Sequence, residues 1–203
     1  MVVPPFFKQR KTAGMKIEDF YIDDERNNNN REYVLKQEFA RGLTDEERAR
    51  FWGLPAGCRM RENAKIISPE KLVCGEHVWI GEGAVLDASG GLEIGSHTSI
   101  GLNVMIWSHT SFLTNLAMSN EPGSSLIARA KTTIGCGCFI AGPSVIYHGI
   151  TLGDRTVVLP MSVINKDLPG NCIAGGTPVR VIRKIDDKFV EEQIQKFKAA
   201  GQI

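Results

Sequence analysis

The stretch Ile134–Ile164, IGCGCFIAGPSVIYHGITLGDRTVVLPMSVI, carries an aliphatic residue at every sixth position. We call these residues anchors. The residue four places after each of the first five anchors is small or β-branched. The anchors are Ile134, Ile140, Ile146, Leu152, Val158 and Ile164, and their companions are Cys138, Ser144, Ile150, Thr156 and Ser162. A fixed spacing of this kind indicates a repeat architecture.

A six-residue repeat is typical of a β-solenoid. Successive side chains of a strand point to opposite faces, so three short strands, each with one inward anchor, can form a triangular coil. Stacked coils then bury one continuous aliphatic column. A helix would require apolar spacings of three and four. A β-sandwich of short strands is the alternative, but a sandwich does not keep an exact spacing. The same six-residue spacing occurs earlier in two runs, Cys74, Ile80 and Leu86 and then Ile94, Ile100 and Ile106.

The repeat resembles that of the hexapeptide-repeat acyltransferases, and the resemblance implies a left-handed parallel β-helix. Further motifs resemble the galactoside/maltose O-acetyltransferase branch of this family. The resemblance extends over about residues 66–185. The segments that carry it are Ile134–Val145, Gly149–Val163, Lys166-Asp167-Leu168-Pro169 and Gly175–Ile185.

The sequence predicts three parts. Residues 1–65 form an N-terminal loop and helical cap, in which Asp23–Asn30 reads as a polar loop and Thr44-Asp45-Glu46-Glu47 as a capping box that starts a helix. Residues 66–185 form the β-helix, with an inserted loop at 107–133. Residues 186–203 form a C-terminal helix. A solenoid end exposes an apolar column, so the N-terminal helices are expected to cover it.

The composition excludes several classes of protein. Hydrophobic residues make up 42% and charged residues 23% of the 203 residues, and the formal net charge is +1. A nucleic-acid-binding chain would show a basic excess, so no such partner is expected. No apolar run is long enough for a membrane span, and the start resembles no secretory signal. We therefore expect a cytoplasmic protein.

The cysteines are read as reduced thiols that fill space. Five are present, with no CxxC pair, and only Cys136 and Cys138 lie close together. No second pair or nearby histidine completes a four-ligand set, so no metal is expected.

His109 is the candidate catalytic residue. It stands where the solenoid gives way to the long loop, and loops on a rigid scaffold often carry sites. In the resembling family, a histidine at the root of this loop is the catalytic base. An imidazole titrates near neutral pH and can take a proton from an attacking hydroxyl or amine. The family usually has proline after this histidine, whereas this chain has Thr110.

The resemblance also implies acetyl-CoA as the donor, bound without a metal. It places the pantetheine arm along the solenoid and the phosphates near basic residues, and it nominates an amide near Gly142 for the oxyanion. Pro160 stands where the family has a small residue with an amide hydrogen. This departure leaves two alternatives open: a different position for CoA, or a donor other than acetyl-CoA. The implied donor-binding residues are Ala141, Gly142, Leu159, Pro160, Lys166, Thr177, Arg180 and Arg183.

The sequence therefore predicts an acetyl-CoA-dependent O-acetyltransferase that acts by direct transfer on a sugar or glycan precursor. The resemblance implies a homotrimer with sites between subunits. The alternatives are N-acetylation of an amino sugar or nucleotide-sugar, and a catalytically silent scaffold. A γ-class carbonic anhydrase would need a His-x4-His pair, which the chain lacks.

Overall fold

The fold is described by a computed structural model of residues 21–119 and 125–203. The chain divides into two compact units, Met1–Glu38 and Phe39–Ile203. The described strands all lie in the second unit. The helices are α1 (Glu25–Arg41), α2 (Asp45–Phe51), α3 (Phe112–Leu116) and α4 (Asp187–Ala199).

The strands are short, as the repeat predicts. In chain order they are β1 (Arg59–Met60), β2 (Lys65–Ile67), β3 (Leu72–Cys74), β4 (Trp79–Ile80), β5 (Val85–Asp87), β6 (Leu92–Ile94), β7 (Ser99–Ile100), β8 (Met105–Ile106), β9 (His109–Thr110), β10 (Ala128–Arg129), β11 (Thr132–Ile134), β12 (Phe139–Ile140), β13 (Val145–Ile146), β14 (Thr151–Leu152), β15 (Thr156–Val158), β16 (Val163–Ile164), β17 (Cys172–Gly175) and β18 (Arg180–Lys184).

All of these strands except β9 and β10, which pair with each other, form three faces of a solenoid. Sheet A has the order β1-β4-β7-β12-β15-β17-β18, sheet B the order β16-β13-β8-β5-β2, and sheet C the order β14-β11-β6-β3. Consecutive strands fall in sheets C, A and B in turn, as β11, β12 and β13 do. Pairing within the sheets is parallel except between β17 and β18. The predicted parallel β-solenoid is confirmed.

The anchors form the core. Ile100, Ile140 and Val158 are in register across sheet A, and each is fully buried. Burying an aliphatic side chain contributes about 1.5–3 kcal/mol, so the stacked column accounts for much of the stability. The same column structure continues through sheets B and C.

The companion positions are also buried, and their hydroxyls are satisfied locally. The Ser144, Thr156 and Ser162 hydroxyls donate to carbonyls three residues earlier, each at 2.7 Å. A buried hydroxyl without a partner would destabilise the fold. The turn carbonyl therefore allows a small polar residue at this inward corner.

The solenoid begins earlier than Ile66, the predicted start. Strand β1 pairs with β4, and Met60 lies opposite Ile80 in the fully buried column. Met60 precedes Ile66 by one repeat, but its unbranched side chain lacks the β-branched character of most anchors. Helix α2 closes this end: Ala49 joins the core, and the buried Arg48 donates to the Met60 carbonyl at 2.6 Å.

The expected loop at Asp23–Asn30 is wrong from Glu25 onward, because α1 begins there. Asp24 accepts the Asn27 amide through its carboxylate at 2.7 Å, which caps a free amide of the first turn. The capping box of α2 is confirmed, with Thr44 and Glu47 bonded to each other's amides. Helix α4 is present as predicted, capped by Asp186.

Candidate active site

His109 lies where the chain leaves the solenoid. Strand β8 of sheet B ends at Ile106, and His109 begins the short strand β9, which pairs antiparallel with β10. The Ala130 amide donates to the Ser108 carbonyl at 2.9 Å, and the Thr132 hydroxyl donates to the Trp107 carbonyl at 2.7 Å. The two ends of the inserted loop are therefore tied together beside His109.

A buried carboxylate holds the imidazole. The His109 Nδ1 lies 2.6 Å from Asp87 Oδ2 and 3.0 Å from the Ser89 hydroxyl. Asp87 belongs to β5, one coil earlier in sheet B, and its side chain is fully buried, whereas the His109 side chain is 29% exposed. One nitrogen of the ring is thus fixed by the scaffold while the ring still reaches the surface.

The surroundings of Asp87 keep it ionised. Burial raises the pKa of the Asp87 carboxyl, but amide donation from Ser108 and Ser89 and the bond to His109 outweigh burial and leave its pKa below the ordinary value. The Ser108 amide lies 2.8 Å from Oδ2 and the Ser89 amide 3.0 Å from Oδ1. The Ser108 hydroxyl, 3.2 Å from Oδ2, also accepts the Gly90 amide at 2.8 Å.

This contact fixes the tautomer of a neutral His109. An ionised carboxylate only accepts hydrogen bonds, so Nδ1 must carry the proton that lies between it and Asp87. The lone pair is then on Nε2. An imidazole oriented in this way by a carboxylate can accept a proton from a bound hydroxyl and share the resulting positive charge with Asp87.

An open cavity of about 480 Å³ lies beside His109. Aromatic rings and small polar groups form its walls, and the Trp107 ring meets the His109 ring edge-on at 6.1 Å between centroids. His148 is part of the wall. The lining residues are Trp107, His109, Thr110, Ser111, Phe112, Tyr147 and His148.

Four of the predicted donor-binding residues lie together at the corner that follows sheet A. The Ala141 amide donates to the Val158 carbonyl, and the Leu159 amide donates to the Ala174 carbonyl, both at 2.9 Å. Ala141 and Leu159 are therefore stacked on successive coils, with Gly142 and Pro160 after them. Gly142 also has a packing role, since a Cβ there would lie 1.6 Å from the Leu102 carbonyl oxygen.

The other predicted donor residues are spread more widely. Thr177 follows β17, and its hydroxyl donates to the Met161 carbonyl at 3.4 Å. Arg180 and Arg183 are exposed on β18, and the Arg183 guanidinium lies 4.2 Å from the centre of the Phe189 ring. Lys166 follows β16 and so lies at the corner after sheet B. One chain thus places Lys166 and His109 beyond sheet B, and the remaining candidates after strands of sheet A or on its edge strand β18.

Sequence reasoning missed Asp87. The signal was present: Asp87 is a carboxylate directly after the buried anchor Leu86, a place where other coils have Gly81, Gly101 or Gly153. It also precedes the irregular Ala88–Gly91, where the anchor spacing slips by two. A charged residue at a corner of a regular repeat therefore pointed to a special role.

The described thiols and acids form no candidate metal site. Cys136 is exposed, whereas Cys138 is buried, and burial raises the pKa of its thiol. Across residues 21–119 and 125–203, no group of three or more His, Cys, Asp and Glu side chains is arranged to hold a metal ion. None of the helices in these ranges is long and apolar enough to cross a membrane.

Comparisons with known proteins agree with this architecture. The chain is 32% identical over 125 residues to the protein of Escherichia coli (strain K12) named "Putative colanic acid biosynthesis acetyltransferase WcaF", an alignment that covers 62% of this chain and 65% of that one. It is 37% identical over 71 residues to the galactoside O-acetyltransferase of the same strain, which is 35% of each chain. No family model matches the chain.

A solved structure shares the fold. The hexapeptide-repeat acetyltransferase VCA0836 of Vibrio cholerae O1 biovar eltor, complexed with acetyl coenzyme A, matches with a TM-score of 0.61 and 25% identity, over 76% of this chain and 86% of that one. The chain spans 65% of the length of WcaF, so the similarity to that relative is partial. The chain is thus similar in sequence to two proteins named as acetyltransferases and similar in fold to a hexapeptide-repeat acetyltransferase.

Proposed function

We propose that this protein is an acetyl-CoA-dependent acetyltransferase that moves an acetyl group to a hydroxyl of a sugar or glycan precursor, with His109 as general base. The observation that carries the proposal is the pairing of His109 Nδ1 with the buried Asp87 at 2.6 Å, on the wall of a cavity. This arrangement leaves Nε2 as the basic nitrogen of the neutral ring.

The reaction needs one proton acceptor and no covalent enzyme intermediate. As the acceptor oxygen attacks the thioester carbonyl carbon, Nε2 of His109 takes the hydroxyl proton. The tetrahedral intermediate then collapses and the carbon–sulfur bond breaks. The leaving CoA thiolate takes the proton from Nε2 of His109. The buried thiol of Cys138 has no histidine among its hydrogen-bond partners, which favours direct transfer.

Asp87 acts as a positioning residue in this scheme. It keeps the proton on Nδ1 and holds the ring by a bond to the scaffold, and its charge offsets the positive charge that His109 gains during attack. Because Asp87 is itself fixed by two amides and the Ser108 hydroxyl, the imidazole is oriented before the substrate arrives.

The donor is proposed to lie along the corner after sheet A, beside Ala141, Gly142, Leu159 and Pro160, with an amide near Gly142 facing the oxyanion. The relatives support acetyl-CoA as donor, since VCA0836 was solved with it bound and the E. coli relatives are named as acetyltransferases. Thr177, Arg180, Arg183 and Lys166 are proposed to meet the nucleotide end, with cations near its phosphates.

We further propose that each site is completed between subunits of a homotrimer. His109 follows a strand of sheet B, whereas the donor corner follows sheet A, so one chain presents base and donor groove on different sides of the solenoid. Association of the sheet B corner of one copy with the sheet A corner of the next brings the two together.

Acetyl transfer tests the proposal directly. Wild type and His109→Ala are incubated with isotope-labelled acetyl-CoA and a panel of sugars, amino sugars and nucleotide-sugars, and products are detected by mass. We expect O-acetylation of one acceptor class, reduced about 10²–10⁴-fold in His109→Ala while CoA binding is retained. CoA binding without transfer to any acceptor would favour a silent scaffold, and an amide product would favour N-acetylation.

A further inference from the structure

Aromatic rings surround the proposed base on the cavity wall. Trp107 is half-buried, and Tyr147 and Phe112 are 48% and 54% exposed. Large apolar rings that remain this exposed do not contribute to the core. Grouped around a cavity, they form a surface suited to an apolar face of a ligand.

The scaffold does not require aromatic residues at these positions. Trp107 and Tyr147 directly follow the buried anchors Ile106 and Ile146, which pair across sheet B, and the Trp107 amide donates to the Ile146 carbonyl at 3.0 Å. The two rings therefore start from neighbouring coils at one corner. At the equivalent corner after sheet A, glycines occupy two successive coils, at Gly81 and Gly101.

Among the described residues that line the cavity, none carries a permanent charge. The polar members are imidazoles and hydroxyls, with no Asp, Glu, Lys or Arg. The nearby Lys131 is 2.9 Å from Glu93 in an ion pair. Arg129 lies opposite His109 in the β9–β10 pairing but does not line the cavity.

We propose that this aromatic corner, Trp107 with Tyr147, is a stacking platform for an uncharged pyranose ring of the acceptor. A pyranose has an apolar C–H face that packs on the negative face of an aromatic ring, and a rim of hydroxyls that needs small polar partners. The Trp107 and His109 rings are nearly perpendicular, at 81°, with centroids 6.1 Å apart. A sugar stacked on the indole therefore presents a rim hydroxyl to the imidazole. The inference rests on the proposed function and adds the class of acceptor.

The first experiment separates acceptor binding from chemistry. In Trp107→Leu we expect the KM for the sugar to rise about tenfold, with kcat and the Kd for CoA changed less than about threefold. Trp107→Phe should recover part of the loss, and Tyr147→Leu should also raise the KM. Trp79→Phe, which replaces an outward tryptophan of sheet A, is the matched control and should leave the KM unchanged. An unchanged KM in both Trp107→Leu and Tyr147→Leu, with folding intact by circular dichroism, would overturn the platform.

The second experiment tests whether the acceptor's sugar ring is uncharged. A methyl uronide and its isosteric uronamide differ only in a negative charge, so each is used as a competitor against the best neutral acceptor. We expect the uronamide to inhibit at least about tenfold more strongly. Stronger inhibition by the uronide, lost in Arg129→Gln, would overturn the proposal in favour of an anionic acceptor held by Arg129.

Binding without turnover distinguishes this inference from the proposed function. Neutral methyl pyranosides should change the tryptophan fluorescence of the wild type and of Trp79→Phe, but not of Trp107→Phe. If this signal is present and no acetyl transfer occurs, the platform stands and the proposed transferase fails. If transfer occurs and no tryptophan signal depends on Trp107, the transferase stands and the platform fails. If neither is observed, both are overturned.

Discussion

Two pairs of side chains join neighbouring coils of the solenoid, and the histidines in them have different environments. His77 and His97 stack at one corner with centroids 5.0 Å apart and planes at 15°, and both are exposed. Asp87 and His109 meet at another corner, where the acid is fully buried. In the first pair the regular repeat places like residue over like residue. In the second, the inserted loop turns an imidazole onto a carboxylate of the coil below.

The difference teaches that environment, and not residue type, marks the reactive histidine. His77 and His97 have a left-handed backbone conformation, with φ of 56° and 60°. Gly57 and Gly137 occupy the equivalent positions on the adjoining coils and have the same conformation. Their position follows from coil stacking. His109 has a fixed partner for Nδ1, a fixed orientation and a cavity beside it.

The largest expected effect comes from removing the basic nitrogen while keeping a hydrogen bond to Asp87. His109→Gln retains a side-chain amide that can donate to the carboxylate, but it has no titratable nitrogen. We expect acetyl transfer to fall about 10²–10⁴-fold by steady-state kinetics. The control His97→Gln should stay within about twofold of wild type. Equal losses in the two variants would break the distinction between the two pairs.

A smaller loss is expected when the carboxylate loses its charge. In Asp87→Asn the side-chain amide can turn either its oxygen or its nitrogen toward Nδ1. The oxygen accepts from a protonated Nδ1 and the nitrogen donates to an unprotonated Nδ1, so the tautomer of the imidazole is no longer fixed. We expect kcat to fall about 10–100-fold. Nitrogen NMR should report the His109 proton on Nδ1 in wild type and on both nitrogens in the variant. Glu93→Gln, which removes a half-buried acid of sheet C that pairs with Lys131, is the control and should leave kcat unchanged.

The Ser108 hydroxyl should matter less, since the Ser108 amide continues to donate to Asp87. Ser108→Ala removes the bond at 3.2 Å and leaves the Gly90 amide without its acceptor at 2.8 Å. We expect a severalfold fall in kcat and a loss of about 1 kcal/mol in the free energy of unfolding. Kinetics and urea denaturation measure the two effects. A kcat equal to that of wild type would show that the hydroxyl does not position Asp87.

The smallest expected effect is a difference between wild type and Asp87→Asn in how the free energy of unfolding depends on pH in acid. Because the pKa of Asp87 is lowered in the folded protein, its contribution to stability is complete above the unfolded pKa and is lost as pH falls through the folded pKa. Between about pH 5 and pH 2, the unfolding free energy of wild type should fall more steeply than that of Asp87→Asn. Parallel curves from urea titrations would contradict the ionised carboxylate.

The spacing of anchors made most of the fold predictable. Each anchor from Ile134 to Ile164 is buried in a strand, because the inward column tolerates aliphatic side chains at fixed intervals. The first coil was missed because Met60 is a less distinctive anchor. The helical start at Glu25 was missed because its capping by Asp24 depends on local geometry that an asparagine-rich tract does not reveal.

The candidate site was predictable only in part. His109 could be singled out by its place at the root of the loop, but its partner lies 22 residues earlier and belongs to another coil. That pairing depends on the coil length and on the register of β5 against β8. The aromatic corner of Trp107 and Tyr147 likewise becomes visible only when Ile106 and Ile146 are paired. The donor-binding residues stay a prediction from the resemblance.

The central claim is that Asp87 acts through His109, and a double-mutant cycle tests it most directly. Acetyl transfer is measured for wild type, Asp87→Asn, His109→Ala and the double variant, with CoA binding as the check on folding. If the two residues act as one unit, Asp87→Asn lowers kcat in the wild-type background and has no further effect once His109 is absent. Losses that multiply in the double variant would contradict the account.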